Sequence, residues 1–361
     1  MANIEKLHVL KFRNLTDQYL LPNKNINLIL GQNGQGKTNF IESIYYLGHS
    51  RSFKTKNLKD IIPFDEQQIK ISAVIDSQKV SVTKSRDKSE VLIEDEKISS
   101  NGLLSQTLPI QVISPDRGFV VGGPPKLKRS YLDWGVFHNN NKTLKTYKTY
   151  KKTLKNINTL LATGKNTELE DWFIQLAKLS VGITKDRVKY IERLTEALEE
   201  QSGASLNSLI KFVDGFSFHI QTGWPKEVDP LSEKQIIEYL LKNKSIFLKT
   251  KYLSYGPHRA NIEYFLNNRN ESYLSRGEQK KMSIVFWMLQ VMILVQKKIK
   301  PVVLIDDISS ELDYSKIKSI VDYLTEINIQ IFITDIGNKD LPLDKEKSTV
   351  FEIKNGILVS A

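Results

Sequence analysis

Gly31-Gln-Asn-Gly-Gln-Gly-Lys37-Thr38 reads G-x-x-x-x-G-K-T and follows the apolar run Ile26-Asn-Leu-Ile-Leu30. That run has the character of a buried strand, and Asn39-Phe-Ile-Glu-Ser-Ile-Tyr-Tyr-Leu47 after it has helical character. A strand that turns through glycines into a helix is the setting for phosphate binding. Glycines let the backbone approach an anion with no Cβ in the way. Successive N–H groups at a helix N-terminus then point at its oxygens. On this reading Gly31, Asn33, Gly34, Gly36 and Asn39 line a nucleotide. Lys37 reaches the β and γ phosphates, and Thr38 offers its hydroxyl to Mg²⁺. The plain alternative is a glycine-rich turn with a chance Lys-Thr; the flanking strand and helix argue against it.

Further along, Val303-Leu-Ile-Asp306-Asp307 is an apolar strand ending in two carboxylates, 268 positions after Thr38. Parallel sheets present their ligand groups at such strand ends. Asp306 is placed to hold Mg²⁺ through its water shell, and Asp307 to orient or polarise the attacking water. The expected cofactors are therefore ATP and Mg²⁺. Lys37, Asp306 and Asp307 form the catalytic group, and Thr38 with Asp306 the metal group. One compact domain rarely needs so long a separation between its two halves, so an insertion is expected.

Tyr273-Leu-Ser-Arg-Gly-Glu-Gln279 precedes the acids. Its Leu-Ser-x-Gly-x-Gln pattern resembles the signature motif of ABC-type ATPases. The Ser275 hydroxyl, the Gly277 N–H and a helix N-terminal dipole would all aim at a γ phosphate. In that family the phosphate belongs to the other subunit, so the resemblance implies a dimer with two ATP molecules clamped between heads. Ser310-Glu-Leu-Asp313 stands at the spacing of the ABC D-loop, and Ser followed by acids also makes a good helix N-cap.

The 361-residue chain has no cysteine, which excludes disulfides and thiolate metal sites and fits a reducing compartment. No signal-peptide stretch opens it. Its greasiest segment, Ile284 to Val295, is interrupted by Gln290 and reads as a buried helix too short to span a bilayer. A cytoplasmic protein without a membrane partner is expected. The five histidines show no metal-ligand spacing; His258 reads as structural or near the nucleotide, and Trp287, Met288 and Met292 as core.

The net charge of +11 is unevenly spread. Residues 126–165 hold ten Lys/Arg against one acid, Asp133. Charge runs are often just solvated helix faces. Here no acid interrupts the six lysines from Lys142 to Lys155, and a polyanion would relieve their repulsion. DNA is the expected partner, with Lys142, Lys145, Lys148, Lys151 and Lys152 as candidate contacts. Arg51, Lys54 and Lys56, in a basic loop after the P-loop helix, are further candidates, though an exposed loop alone would explain them.

The rest of the chain supplies the frame. Ile4 to Leu10, Gln68 to Asp76, Lys79 to Lys84 and Glu90 to Glu94 read as strands, the later ones antiparallel. Leu108 to Ile113 reads as a core strand closed by Ser114-Pro-Asp116, with Gln111 or Ser114 as the Q-loop residue. Past Gly122-Gly-Pro-Pro125, Leu144 to Leu161 carries a helical stripe and Leu169 to Gln201 a longer one, suggesting a helical hairpin broken at Gly164-Lys-Asn-Thr and closed near Gly203. Ser232 to Lys249 reads as one more helix, and Pro301 to Ile305 and Ile329 to Thr334 as buried parallel strands.

Taken in order, several segments give the chain a resemblance to the RecF family over nearly its whole length. They are Phe12-Arg-Asn-Leu15, Gly36-Lys-Thr-Asn39, Leu47-Gly-His-Ser-Arg-Ser-Phe-Lys-Thr55, Ser114-Pro-Asp116, Lys128-Arg-Ser-Tyr-Leu-Asp133, Gly256-Pro-His-Arg259, Leu274-Ser-Arg-Gly277 and Ile305-Asp-Asp-Ile-Ser-Ser-Glu-Leu-Asp313. The resemblance implies an α/β fold. It would be an ABC-type P-loop ATPase head, a mixed sheet with helices plus an antiparallel β subdomain, carrying an inserted helical arm. The head would span 1–123 and 252–361 and the basic arm 124–251. The resemblance also implies an ATP-dependent homodimer, binding to duplex or gapped DNA, and work with RecR and RecO proteins in placing RecA during repair and the SOS response. Asp307 is one methylene shorter than the usual ABC glutamate, and Thr334-Asp335 stands where transporters carry a switch histidine. Both imply slow hydrolysis, with ATP acting as a timer. The alternative of another class is the ATPase subunit of a membrane transporter. The basic insertion, the missing histidine and the Phe-Arg-Asn segment argue against it.

Overall fold

The structure, a computed structural model, describes residues 3–114, 118–164, 168–200, 207, 208, 210–307, 309, 312–337 and 341–360. Pro115 and Asp116, Lys165 to Thr167, Gly203, and Ser310 with Glu311 lie outside the described residues. Two compact units emerge, Met1–Phe119 with Gln201–Phe212 and Ile284–Ala361, and Val120–Glu200 with Val213–Ser283. The expected boundaries at 123/124 and 251/252 follow the breaker cluster Gly122-Gly-Pro-Pro125 and the end of the helical stripes. Compactness divides the chain after Phe119, Glu200, Phe212 and Ser283.

The first unit holds two six-stranded sheets. One runs Ile357–Ser360, Ser348–Lys354, Ile26–Leu30, Ile331–Asp335, Val302–Ile305, Ile110–Ile113. All of its pairings are parallel except the terminal hairpin. Parallel strands are covered on both faces, which is why Val302–Ile305 reads as a continuous apolar run and why it and Ile331–Asp335 are buried at every position. The other sheet is antiparallel, in the order Gln18–Leu20, Ile4–Leu10, Gln68–Ile75, Gln78–Ser85, Ser89–Ile93, Glu96–Lys97. Its strands alternate, burying Leu7, Val9, Ile71, Ala73, Val80 and Val82. The helix Lys37–His49 packs against strands of both sheets and shares their core.

In the second unit the helices Thr143–Thr163 and Leu169–Glu199 pack together through Ile157, Leu161, Phe173 and Leu176. The expected single helix from Ser232 to Lys249 is two, Glu233–Lys242 and Lys244–Thr250. Asn243 breaks it. Its side-chain amide and its N–H both donate to the Tyr239 carbonyl, and its own carbonyl accepts from Ile246 and Phe247 to start the next helix. A small antiparallel sheet, Phe216–Gln221 with Asn261–Leu266 and Arg269–Asn270, also belongs here, beyond the helical reading of this region.

Candidate functional site

The strand Ile26–Leu30 delivers the glycine loop to the helix Lys37–His49, at the carboxyl end of the parallel sheet. The Gly31 N–H donates to the Asp335 carbonyl at 3.2 Å, tying the loop to the neighbouring strand. Gly34 and Gly36 sit at φ of 82° and 112°, where a side chain would be strained. Gly36 caps the helix, and Asn33 is exposed at the loop's tip. The Lys37 ammonium is folded back on the loop, donating to the carbonyls of Gly31 at 2.7 Å and Gln32 at 3.2 Å. Asn39 donates to Asn14 at 2.7 Å, linking the helix to the Phe12-Arg-Asn segment. An open cavity of about 500 Å³ lies alongside, lined by Gly31, Gln32, Gln35, Gly337 and Ile353 among others.

Asp306 is where the loop and the acid strand meet. Thr38 donates to its Oδ1 at 3.1 Å, Thr334 to the same oxygen at 2.7 Å, and Ser114 to Oδ2 at 3.1 Å. Burial pushes its carboxyl above the ordinary value. The bonds from Thr334, Thr38 and Ser114 and the charge of Lys54 pull the other way. Asp307 follows with left-handed backbone, φ 51°, and its N–H donates to the Thr334 hydroxyl at 2.8 Å. Asp335 is fully buried; one of its oxygens accepts from the Ser309 hydroxyl and the other from the Gly337 N–H at 3.0 Å. Of the two Q-loop candidates, Ser114 reaches Asp306, whereas Gln111 lies within its strand with its amide nitrogen buried.

Oxygen donors suit a hard cation such as Mg²⁺, and a hydroxyl and a carboxylate already at hydrogen-bonding distance fit its needs. Among the described residues no cluster of three or more His, Cys, Asp or Glu forms an all-protein cage. A partial set of this kind suits an ion held jointly with phosphates. The residues present fit ATP with Mg²⁺.

Thr334, noted in the sequence only as standing with Asp335 in place of a switch histidine, bonds to both acids. Other contributors carry less sequence signal. Glu42 is fully buried on the loop helix and receives Arg13 through two bonds, at 2.6 and 2.9 Å, and the Ser52 hydroxyl. Ser52 in turn accepts from the N–H groups of Lys54 and Thr55. This carboxylate thus shapes the basic loop and sets Lys54 where its charge bears on Asp306. An acid amid the apolar positions of a helix is the one signal that marked it. Arg51, Lys54 and Lys56 are all exposed.

The signature residues belong to the second unit. Ser275 and Gly277 are exposed at the start of the helix Arg276–Gln296. Ser275 donates through its N–H and its hydroxyl, each at 2.8 Å, to Glu278, which also takes Arg269 at 2.8 Å. This is a capping box, and those bonds, the Ser275 N–H foremost, hold the Glu278 carboxyl below its ordinary range. Lys142, Lys145, Lys148, Lys151 and Lys152 are exposed, opposite buried Tyr150, Thr153 and Ile157, and none has an acidic partner among the described residues. His258 is structural: Tyr150 bonds its Nδ1 at 2.8 Å and its Nε2 faces the Leu253 carbonyl at 3.1 Å. Trp287, Met288 and Met292 are core.

A glycine loop and an acid strand joined on a parallel sheet, with an antiparallel sheet beside it, define an ABC-type ATPase head. The family model for the RecF/RecN/SMC N terminal domain matches residues 3–358. A DNA replication and repair protein RecF of Actinobacillus pleuropneumoniae is 32% identical over 367 aligned positions, covering 98% of this chain and 99% of that one. A solved structure of the recombination mediator protein RecF-ATP in the RecFOR pathway superposes with a TM-score of 0.85 at 26% identity, covering 99% of this chain and 97% of its own. The Smc head domain of Pyrococcus furiosus shares the fold, with a TM-score of 0.56 at 16% identity over 100% and 96% of the two chains. The chain belongs to the RecF family. That membership decides against the transporter alternative. Among the described residues no helix is long and apolar enough to cross a membrane.

Proposed function

We propose that this chain is an ATP-dependent DNA-binding recombination mediator, acting as a dimer that closes around two ATP·Mg²⁺ and opens on slow hydrolysis. The observation that carries the reading is the hydrogen bond between Thr38 and Asp306, which brings the two halves of a nucleotide site together across 268 positions.

The residues divide the work. The loop N–H groups bind phosphate oxygens, and Lys37 exchanges the carbonyls of Gly31 and Gln32 for the β and γ phosphates. Thr38 and Asp306 would hold Mg²⁺, which neutralises charge on the phosphates when bound. Ser114 and Thr334 orient the Asp306 carboxylate. Asp307 acts as general base toward the attacking water. Gly277, exposed at a helix N-terminus, offers its N–H to the γ phosphate of the second copy, and Ser275 exchanges Glu278 for that phosphate. The head-and-arm division at 123/124 and 251/252 belongs to this reading, with the arm lysines and Arg51, Lys54 and Lys56 on DNA. Supported by the RecF relatives, the partners are gapped or duplex DNA, RecR and RecO, with RecA downstream, in the cytoplasm.

Sedimentation with ATP, ADP or no nucleotide, each with and without DNA, tests this. Dimers are expected with ATP alone and tighter DNA binding with ATP than with ADP. A protein that stays monomeric with ATP and DNA present would overturn it.

A further inference from the structure

The antiparallel sheet of the first unit buries one face, and the activity described above makes no use of the other. Strand register lines up Tyr19, His8, Ser72, Ser81 and Leu92 in one row across that outer face. Tyr19 is 78% exposed and lies flat on His8, with ring centroids 3.9 Å and planes 9° apart. Asp17 Oδ1, 2.5 Å from His8 Nε2, pins the lower ring. Lys6 and Lys79 lie beyond the row on one side, flanking Val74, and Lys70 lies on the other. All three lysines are exposed. Together these groups line a shallow depression of about 330 Å³ whose one acid is Asp95.

A ring held flat against another ring has already lost the freedom that stacking would cost it. Tyr19 presents one bare aromatic face to solvent, with cations on both sides. A flat, unpaired base stacked on such a ring, its phosphates reaching toward lysines, is how sequence-tolerant strand binding is built. A duplex keeps its base faces inside and cannot use the ring. A peptide strand would add to a sheet edge, not to this face.

We propose that the outer face of this sheet, centred on the Tyr19–His8 stack, binds an unpaired nucleic acid strand, separately from any duplex contact elsewhere on the chain. The test is fluorescence anisotropy of the full chain without nucleotide, against labelled (dT)15 and against a blunt duplex hairpin at low salt. Tyr19→Ala should weaken (dT)15 binding about tenfold or more and leave the duplex unchanged, whereas Tyr19→Trp should keep the affinity. Replacing Lys6, Lys70 and Lys79 together by Gln should flatten the single-strand salt slope by about 2. Ultraviolet cross-linking of (dT)15 to the wild-type chain, followed by peptide mapping, should find the adduct at Tyr19. Unchanged (dT)15 binding by Tyr19→Ala, or equal losses on both probes, would overturn the proposal. Tyr19 is a surface residue, and a thermal melt matching wild type confirms that the variant folds. Because no nucleotide is present, failure of ATP-driven dimerisation would leave this result standing.

Discussion

The nucleotide site and the lysine face of the long arm helix treat charge in opposite ways. Around Asp306 a buried carboxylate is satisfied by three hydroxyls, and Lys37 is already bonded to backbone carbonyls. Along Lys142 to Lys152 the cations stand in solvent with no acidic partner among the described residues. The first arrangement has fixed geometry and suits one ligand of defined shape. The second has charge density without fixed geometry and suits any polyanion, at an affinity that salt controls. Specific chemistry and non-specific grip are thus separately built and should fail separately.

A change at the glycine loop tests that separation most directly. Lys37→Met removes the loop cation proposed to bind the phosphates and should cost ATP affinity about a hundredfold or more by calorimetry, with nucleotide-free DNA binding unchanged. A parallel loss of DNA affinity would break the distinction. Asp307→Asn should lower hydrolysis by about a hundredfold to ten-thousandfold while ATP-driven dimers persist in sedimentation, because it removes the proposed base and leaves the proposed clamp. On the other side, replacing Lys145, Lys148 and Lys152 by Gln should weaken duplex binding roughly tenfold at moderate salt and flatten its salt slope by about 3, with ATP affinity untouched.

The smallest effect concerns the frame under the lysines. Burial depresses His138 and His258 from 6.5 to about 4. Between those values the unfolded chain takes up protons that the folded chain refuses, so stability falls as pH drops through that window and is fully present above it. The loss is on the order of a few kcal/mol by linkage and should appear as a falling Tm between pH 7 and 4, flattened in His258→Gln. An unchanged slope in that variant would remove His258 from the account.

What the sequence made legible follows the same contrast. The loop, the acid strand and the buried parallel strands carry short-range patterns, and Ile4–Leu10 and Leu169–Glu199 emerged within a residue or two of their expected limits. The contacts of Thr334 with both acids come from strand neighbours that only the folded sheet brings together. Glu42 is another case: its worth lies in Arg13 and Ser52, which are near it in space but not in pattern. The break at Asn243 was hidden because the apolar stripe runs on through it, while the side-chain amide competes locally for the backbone. The lysine face was visible as composition, and composition names a class of partner without naming contacts.

The Thr334 hydroxyl donates its only proton to Asp306 and accepts the Asp307 N–H on the same oxygen. The placements of Asp306 and Asp307 therefore cannot be tuned independently. A valine there, nearly the same shape, would release both anchors in one step. Anyone wishing to slow this machine without loosening its grip on nucleotide would do better to alter the Asp307 side chain than its shared hinge.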